Sequence, residues 1–394
     1  MNKANTGALT AEKFDFSCPF EVVCDHSMAE YYPEIRRVVS VTANPLPDSK
    51  FLSGNTLEFG GSVEFSMMYI GEDGSLSVLS CTAEYSERAA IPEEIKALKE
   101  NGVHKNLPNA KLPENIEYTD DISTAVRNAE MLLMVVPSAY IRSTAKALAP
   151  NLPSGAIIVN ASKGIEPKTL LTMTEVISDE IKKHDPNLNF KVAALSGPTH
   201  AEEVAVGIPT SIVSACEDED VSNLIAEVFH NSCMRVYTNT DVCGVEICGA
   251  LKNVIAIAAG INNGMGLGDN SKAMLMTRGM ADITRLGLAM GCKRRTFMGL
   301  AGIGDLIVTC TSRHSRNNRC GELIGRGYTY EEAKDEIGMV VEGYHALEAA
   351  MELSKKYDVE LPITEAVYNV IKNGTSPKDA MYALMTRDMK SELD

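Results

Sequence analysis

The chain has no excess of positive charge, no long apolar run and no tryptophan. Its 37 Lys and Arg against 53 Asp and Glu give a net charge of -16, so a general role on nucleic acid or on an anionic membrane surface is excluded. No stretch reaches the roughly 18 uninterrupted apolar residues of a membrane span. The opening MNKANTGALTAEKFDF has no signal-like apolar region, which predicts a cytoplasmic protein without a membrane span.

The ten cysteines occur without a CxxC pair and without a neighbouring histidine cluster. This pattern excludes a zinc site and a disulfide framework, and no metal site is predicted. With 45% hydrophobic and 23% charged residues, the 394-residue chain has the composition of a folded protein with about two or three domains. Any phosphate site in so acidic a protein must be a local basic cluster.

Residues 14–88 read as all-β. The run from 57 to 87 alternates apolar and polar residues around Glu72, Asp73 and Gly74, which predicts a hairpin. The preceding stretch RRVVSVTANPLPDSK predicts a further strand that stops at its prolines.

From Ile91 onward, short apolar runs alternate with helical patterns. The runs cover 131–136, 156–162, 192–196 and 210–215. Strands buried on both faces predict a parallel, doubly wound α/β sheet. Helical periodicity then dominates after about Asp241, at 244–261, 271–291 and 344–357.

These patterns predict three domains. They are a small all-β domain at 1–88, a partial Rossmann-type domain at 89–240 and an all-α domain at 241–394. The expected fold class is therefore α/β doubly wound, with an incomplete Rossmann domain, an all-α C-terminal domain and a small β domain in front.

Lys252 lies in the middle of a helix that is apolar almost all round. Loss of hydration would lower the pKa of such a lysine toward the range of a general base. The alternative is a lysine on a narrow polar stripe that reaches water.

Two strand ends carry further candidates. Lys163 and Gly164 follow a buried strand at the edge where open α/β sheets bind ligands, so Lys163 is a ligand contact or a solvated loop lysine. In LSGPTHAEEVA, Gly197 begins a tight turn and Thr199 is expected to cap the next helix, whose amides could face an anion.

The segment TSRHSRNNRCGELIGRG concentrates arginine in an otherwise acidic chain. Ser315 reads as a helix N-cap, which places Arg316 and Asn317 in the first turn, where they suit a phosphate monoester. A solvated arginine face is the alternative. Upstream, Asp305 in the glycine-rich GLAGIGDLIVTC needs a charged partner, and Lys252 is the obvious one.

The motifs VNASKGIEP, LSGPTHAEEVA, LKNVIAIAAGI, GLAGIGDL, SRN and VVEGY resemble, in order and spacing, the bacterial NAD(P)-dependent glycerol-3-phosphate dehydrogenases over about residues 91–387. The resemblance implies that Lys252 is the proton acceptor and that Lys163 and Asp305 complete the catalytic group. It implies a substrate site of Lys163, Gly197, Thr199, Asp305, Ser315, Arg316 and Asn317. It implies cofactor contacts at Lys163, Ala201, Arg316, Val340 and Glu342.

The chain departs from that family at its beginning. It has no strand, GxGxxG turn and helix to bind a pyrophosphate, and the glycines of LEFGGSV and IGEDGSL lie inside the hairpin. The missing strands would stand between a strand near 116–119 and the strand at 131–136, which leaves an exposed edge at 131–136. The expected cofactor is NAD or NADP, with NADPH favoured by the resemblance and with weak binding.

The segment at about 14–88 is similar to the small β domain of clostridial spore-coat assembly proteins.

The two resemblances lead to two candidate functions. One is an enzyme that interconverts sn-glycerol 3-phosphate and dihydroxyacetone phosphate for glycerophospholipid synthesis, with a homodimer as the expected assembly. The alternative is a non-catalytic fusion that keeps a phosphate-binding body on a coat-type β domain.

Overall fold

The structure is a computed structural model that describes residues 35–53, 56–90, 103–104, 107–113, 115–119, 121–389 and 391–392. The chain divides into two compact units, Met1–Asn101 and Gly102–Asp394. The three-domain division at 88/89 and 240/241 stays a prediction.

The first unit contains a three-stranded antiparallel sheet. Its strands are β1 (Ile35–Ser53), β2 (Thr56–Gly71) and β3 (Leu76–Ala90), in the order β1-β2-β3. Between β2 and β3, Gly74 takes a φ of 82°, a left-handed conformation that favours glycine. The Asp73 carboxylate accepts a hydrogen bond of 3.0 Å from the Ser75 amide. The hairpin predicted at this turn is confirmed.

The prediction that the first strand stops at its prolines is wrong. Strand β1 continues through Pro45, opposite Val63, and through Pro47, opposite Gly61. The pairing shifts by one residue directly after Pro47. A strand with a single neighbour tolerates proline because only one of its edges needs ladder amides, and a bulge absorbs the remaining misfit.

The second unit begins with a short hairpin and continues into a five-stranded sheet. The hairpin strands are β4 (Val103–His104) and β5 (Leu107–Lys111), and the sheet strands are β6 (Met131–Met134), β7 (Ala156–Asn160), β8 (Phe190–Ser196), β9 (Thr210–Ala215) and β10 (Met234–Asn239). The strand expected near 116–119 does not form. Residue 115 lies in a turn, and residues 116–119 have no regular secondary structure.

Helices connect these strands and follow them. They are α1 (Ile122–Val126), α2 (Ile141–Leu148), α3 (Met173–His184), α4 (Ala201–Val204), α5 (Glu219–Phe229), α6 (Val242–Gly264), α7 (Asp269–Ala289), α8 (Arg294–Phe297), α9 (Asp305–Thr311), α10 (Arg316–Gly325), α11 (Tyr330–Ile337), α12 (Glu342–Tyr357), α13 (Pro362–Lys372) and α14 (Pro377–Met385). The three helices expected after Asp241 correspond to α6, α7 and α12.

The five-stranded sheet has the order β10-β9-β8-β7-β6. Neighbouring strands are parallel except for β8 and β9, which run antiparallel with Ala194 opposite Ala215. The expected all-parallel sheet is therefore wrong at this pair. A strand whose two faces are both buried in the sheet has a continuous apolar sequence whether it runs parallel or antiparallel to its neighbour. The apolar runs of β8 and β9 therefore carry no information about strand direction.

Helices cover both faces of this sheet. On β7, Ile158 packs with Ile141 of α2 and Ile177 of α3, while the next residue, Val159, packs in a separate cluster with Ile225 of α5. Successive side chains of a strand point to opposite faces, so one apolar strand supplies two cores. The doubly wound α/β class is confirmed.

Strand β6 ends the sheet within the part of the chain that the structure describes. Its Leu133 is 47% exposed, and Val135, directly after the strand, is 65% exposed. A strand with one partner presents unpaired backbone groups along its free side. The exposed edge expected at 131–136 is present in the described residues.

Helix α6 runs through the centre of the helical part and is buried along most of its length. Among the described residues it is the one helix long and apolar enough to cross a membrane, and 89% of its most apolar window is buried inside the fold. Its apolar character therefore serves the protein core.

Helices α6 and α10 cross with their backbones in contact. A Cβ atom added at Gly260 would lie 2.0 Å from the carbonyl oxygen of Asn318, and one added at Gly321 would lie 2.0 Å from that of Ile257. Only glycine leaves room for so close an approach. This crossing holds the N-terminal turn of α10 beside the middle of α6.

We expect Gly321→Ala to lower the free energy of unfolding by about 1–3 kcal/mol, because the added methyl group must push the two helices apart. Urea unfolding measures this change. Arg319→Ala on the same helix, at an exposed position, should change stability by less than about 0.5 kcal/mol. Equal effects of the two substitutions would contradict the close crossing.

Candidate functional site

Lys252 is buried in α6, with 6% of the residue exposed. Its Nζ donates hydrogen bonds of 2.5 Å to Asp305 Oδ1 and 2.6 Å to Thr309 Oγ1. Lys252 therefore does not lie on a solvated stripe. Burial outweighs the attraction of Asp305 and lowers the pKa of Lys252 to about 8. An amine with this pKa can accept a proton near neutral pH.

Asp305 begins α9 directly after a π-helical turn at Leu300–Gly304. That turn depends on Gly302, where a Cβ atom would lie 2.1 Å from the carbonyl oxygen of Phe297. Asp305 is 1% exposed. Burial favours its neutral form, but the charges of Lys163 and Lys252 outweigh burial and hold the pKa of Asp305 below its usual value.

Lys163 approaches the same carboxylate from the sheet. Its Nζ donates to Asp305 Oδ2 at 2.6 Å and to the Gly197 carbonyl oxygen at 3.2 Å. The stem of Lys163 crosses α6 at Gly249, where a Cβ atom would lie 3.3 Å from Lys163 Cγ. The Lys163 side chain remains 21% exposed, whereas Lys252 and Asp305 are buried.

The turn after β8 differs from its prediction. Thr199 does not cap the next helix, because its hydroxyl donates to the Gly197 carbonyl oxygen at 3.3 Å and His200 takes the N-cap position. The helix, α4, has only four residues and starts at the exposed Ala201, so it provides no anion site of its own. Burial lowers the pKa of His200.

Ser315 is the N-cap of α10, as predicted, and its hydroxyl accepts a hydrogen bond of 3.2 Å from the Asn318 amide. Arg316 follows in the first turn. It is partly buried and has no hydrogen bond or ion pair with any residue that the structure describes. Its guanidinium is therefore a free cation at the N-terminus of α10, where an anion is favoured.

Asn317 has a different environment from its neighbour. Its Nδ2 donates to Asn253 Oδ1 at 3.0 Å, and its Oδ1 accepts from the Gly343 amide at 2.9 Å. Asn317 thus ties α10 to α6 and to the start of α12. At this end of the site, Arg316 is the residue whose polar group is available to a ligand.

Of the two candidates near α12, Glu342 contacts Ser138, and Ser138 lies against Gly164, the residue after Lys163. Glu342 accepts hydrogen bonds from the Ser138 hydroxyl at 2.5 Å and from the Ser138 amide at 3.3 Å. Val340 is partly buried just before α12. Ser138 follows β6, so Glu342 lies at the carboxyl end of that strand, while Lys163, Lys252, Asp305 and Gly197 meet at one point.

Sequence reasoning missed three buried polar residues at this site. Thr309 contacts Lys252 and lies one turn after Asp305, and Asn253 follows Lys252 and binds Asn317. Glu246 lies two turns before Asn253 on α6. The available signals were the spacing of Thr309 four residues after Asp305 and the presence of Glu246 and Asn253, two polar residues in a largely apolar helix.

A family model described as NAD-dependent glycerol-3-phosphate dehydrogenase C-terminus matches residues 241–382. The corresponding N-terminus model matches residues 79–222. The chain belongs to this dehydrogenase family.

Relatives and solved structures agree with the family assignment. Glycerol-3-phosphate dehydrogenase [NAD(P)+] 2 of Lactobacillus delbrueckii subsp. bulgaricus is 54% identical over 305 residues, which are 77% of this chain and 90% of the relative. The Agathobacter rectalis enzyme is 47% identical over 303 residues, 77% of this chain and 88% of the relative. The crystal structure of the Coxiella burnetii glycerol-3-phosphate dehydrogenase has a TM-score of 0.70 at 33% identity, covering 75% of this chain and 89% of that one.

Within this dehydrogenase family the chain is an NAD(P)-dependent oxidoreductase with a Rossmann-like domain followed by a helical domain. The N-terminal match begins at residue 79, within β3, so it includes the end of the three-stranded sheet. It therefore starts twelve residues earlier than the resemblance noted from the motifs.

We expect Asp305→Asn to destabilise the protein by about 3–5 kcal/mol near neutral pH, because the buried ammonium group of Lys252 and the partly buried one of Lys163 lose their counter-ion. The pKa of Lys252 already lies below its unfolded value, and the substitution lowers it further. Between the lowered pKa of Lys252 in the folded chain and its pKa in the unfolded chain, the unfolded chain binds more protons than the folded one. Stability therefore rises with pH between these two pKa values.

The measurement is urea unfolding at about pH 6 and about pH 9. The loss relative to the unsubstituted chain should be smaller at the higher pH. Asp335→Asn, at an exposed carboxylate on α11, is the matched control and should have no pH-dependent effect. A loss of the same size at both pH values would contradict the shared charge.

Proposed function

We propose that this chain interconverts sn-glycerol 3-phosphate and dihydroxyacetone phosphate with NAD(P), a reaction that serves glycerophospholipid synthesis. The observation that carries the proposal is the buried Lys252, whose pKa is lowered to about 8 and which shares Asp305 with Lys163. A dehydrogenase needs a group that accepts and returns one proton at a secondary alcohol. Lys252 has the pKa for this role.

In the oxidation, the neutral Lys252 amine takes the proton of the carbon 2 hydroxyl while the hydrogen on that carbon leaves as hydride. NAD(P)+ supplies the hydride acceptor when it is bound. Lys163, held by Asp305, keeps a positive charge beside the oxygen and stabilises negative charge that develops there. In the reduction, the Lys252 ammonium returns its proton to the same oxygen.

The phosphate end of the substrate is assigned to the N-terminus of α10. Arg316 supplies a cation with no partner among the described residues, and a bidentate arginine suits a phosphate monoester. We assign Ser315, Asn317, Thr199 and Gly197 to the lining of the same site. For Asn317 this is a positioning role, because its amide binds Asn253 and Gly343.

For the cofactor we assign Lys163, Ala201, Arg316, Val340 and Glu342, with NADPH preferred over NADH. These residues suit the end of the cofactor near the chemistry. They do not suit the pyrophosphate, since the sequence has no GxGxxG turn and β6 has no further partner strand among the described residues. Weak binding of either cofactor follows.

Three further assignments belong to this proposal. The enzyme is cytoplasmic and forms a homodimer. Residues 14–88, of which 14–34 lie outside the described residues, are a coat-type β domain joined to the dehydrogenase. The alternative of a non-catalytic fusion is the weaker one, because Lys252, Lys163 and Asp305 retain a geometry that a purely structural body does not need.

We expect Lys252→Ala to abolish turnover and to leave the fold intact, because a small apolar residue suits a buried helix while the base is lost. In the unsubstituted chain the oxidation rate should rise with pH through about 8, the pKa of Lys252, because only the neutral amine accepts a proton. The measurements are the absorbance change on reduction of NAD(P)+, which follows turnover, and circular dichroism, which follows the fold. Turnover near the unsubstituted level in folded Lys252→Ala would remove Lys252 from its role.

We expect dissociation constants above about 10 µM for both NADH and NADPH, because much of the charged anchoring of a dinucleotide comes from the turn that this chain lacks. Isothermal calorimetry on the full chain measures them. Submicromolar binding of either cofactor would show that other residues supply the pyrophosphate site.

A further inference from the structure

Glu246 is a buried carboxylate that the proposed reaction does not use. It lies on α6 with 5% exposure, and all of its partners are donors. Its carboxylate accepts hydrogen bonds from the Thr174 amide at 3.0 Å, the Thr174 hydroxyl at 2.5 Å and Asn160 Nδ2 at 3.3 Å. Burial raises the pKa of Glu246 to about 6. Glu246 therefore joins α6 to the start of α3 and to the end of β7.

Asn160 carries this contact to Lys163. It is the last residue of β7, and its Oδ1 accepts from the Ser162 amide at 3.1 Å while its Nδ2 donates to the Ser162 carbonyl oxygen at 2.9 Å. Ser162 directly precedes Lys163. The side-chain amide of Asn160 therefore holds the backbone directly before Lys163, and Glu246 contacts this same amide.

The contacts of α6 with the Lys163 loop and with Asp305 lie within two turns of the helix. Residues three apart lie on neighbouring positions of a helix surface, so Glu246, Gly249 and Lys252 follow one another along the helix. The stem of Lys163 crosses at Gly249, and its ammonium group meets Lys252 across Asp305. Within two turns, α6 therefore holds an anchor for the Lys163 loop, a gap for its side chain and the second lysine.

We propose that Glu246 is a positioning residue that sets the placement of Lys163 relative to Lys252 across Asp305, acting through Asn160 and Ser162. The catalytic meaning of this placement rests on the proposed function, but the placement itself does not. A buried cap for α3 would be a purely structural role. That helix already has a capping box between Thr172 and Glu175, whose carboxylate accepts from the Thr172 amide at 2.8 Å.

The first test reads the ion cluster without turnover. In the full chain labelled with 13C at lysine Cε, the Lys252 resonance is assigned with Lys252→Arg and titrated by NMR. Glu246→Ala should raise the pKa of Lys252 by roughly one unit. The Lys163 ammonium group is expected to move away from Asp305, which removes a positive charge near Lys252 and leaves Asp305 as the counter-ion of Lys252 alone. His200, Cys310, Asp305 and Lys163 are the ionisable groups near Lys252 among the described residues.

Two further variants separate geometry from charge and guard against misfolding. Glu246→Gln keeps the length and an acceptor oxygen, so the Lys252 titration should return to within about 0.3 units of the unsubstituted chain. Glu246→Asp keeps the charge but shortens the reach, so it should raise the pKa of Lys252 as Glu246→Ala does. The proposal would be overturned if Glu246→Gln shifted the pKa of Lys252 while Glu246→Asp left it unchanged, because the shift would then follow the charge of the side chain and not its length.

Asp282→Asn is the matched control. Asp282 is a buried carboxylate on α7 that accepts from the Ile363 amide of α13 at 2.8 Å, far along the chain from the lysine pair. Its loss should lower stability and leave the Lys252 titration unchanged. If Glu246→Ala and Glu246→Asp also lower stability and leave the Lys252 titration unchanged, as expected for Asp282→Asn, then Glu246 is only a helix cap and the inference is wrong.

The kinetic test connects the placement to the reaction. Glu246→Ala should lower kcat by about tenfold or more, while KM for glycerol 3-phosphate changes by less than about threefold, because Arg316 still holds the phosphate. Glu246→Gln should recover kcat. Absence of turnover in the unsubstituted chain would count against the proposed function, whereas an unchanged Lys252 titration in Glu246→Ala would count against this inference.

Discussion

The site depends on one buried carboxylate that two lysines share. Asp305 is held by Lys163 from the end of β7 and by Lys252 from α6, and its own position comes from the start of α9. A lone carboxylate there would be costly, and two ammonium groups without it would repel each other. The cluster is held where three elements meet, and burial lowers the pKa of Lys252, one of its two lysines, to about 8.

The glycines of the helical part make this meeting possible. Gly260 and Gly321 let α6 and α10 cross with backbones in contact, and Gly249 leaves room for the stem of Lys163. The apolar residues of α6 have a second effect beyond the core, because the burial that they provide lowers the pKa of Lys252. Packing and reactivity are therefore properties of the same helix, and a change in its packing is expected to change the acidity of its lysine.

The substrate end and the cofactor end of this dehydrogenase differ in how complete they are. Lys163, Lys252 and Asp305 are joined by direct contacts, and Arg316 has no hydrogen bond or ion pair with any described residue, so all four support the proposed phosphorylated alcohol substrate. The sheet, by contrast, stops at β6 in the described residues, and the sequence has no glycine-rich turn for a pyrophosphate. The glycine-rich turn would lie on an element other than those that carry Lys252, Asp305 and Arg316, so its absence leaves the lysine cluster in place.

The sequence alone determined the features that depend on local pattern. Alternation around Gly74 predicted the hairpin, apolar runs predicted the buried strands, and Ser315 predicted the start of α10, because each signal lies within a few residues. Only the tertiary structure decided the rest. The antiparallel pairing of β8 with β9, the passage of β1 through Pro45, the partners of Asn317 and the contact of Glu246 with Asn160 all join residues distant in the chain. Such contacts depend on which faces meet after folding, and no local periodicity records that.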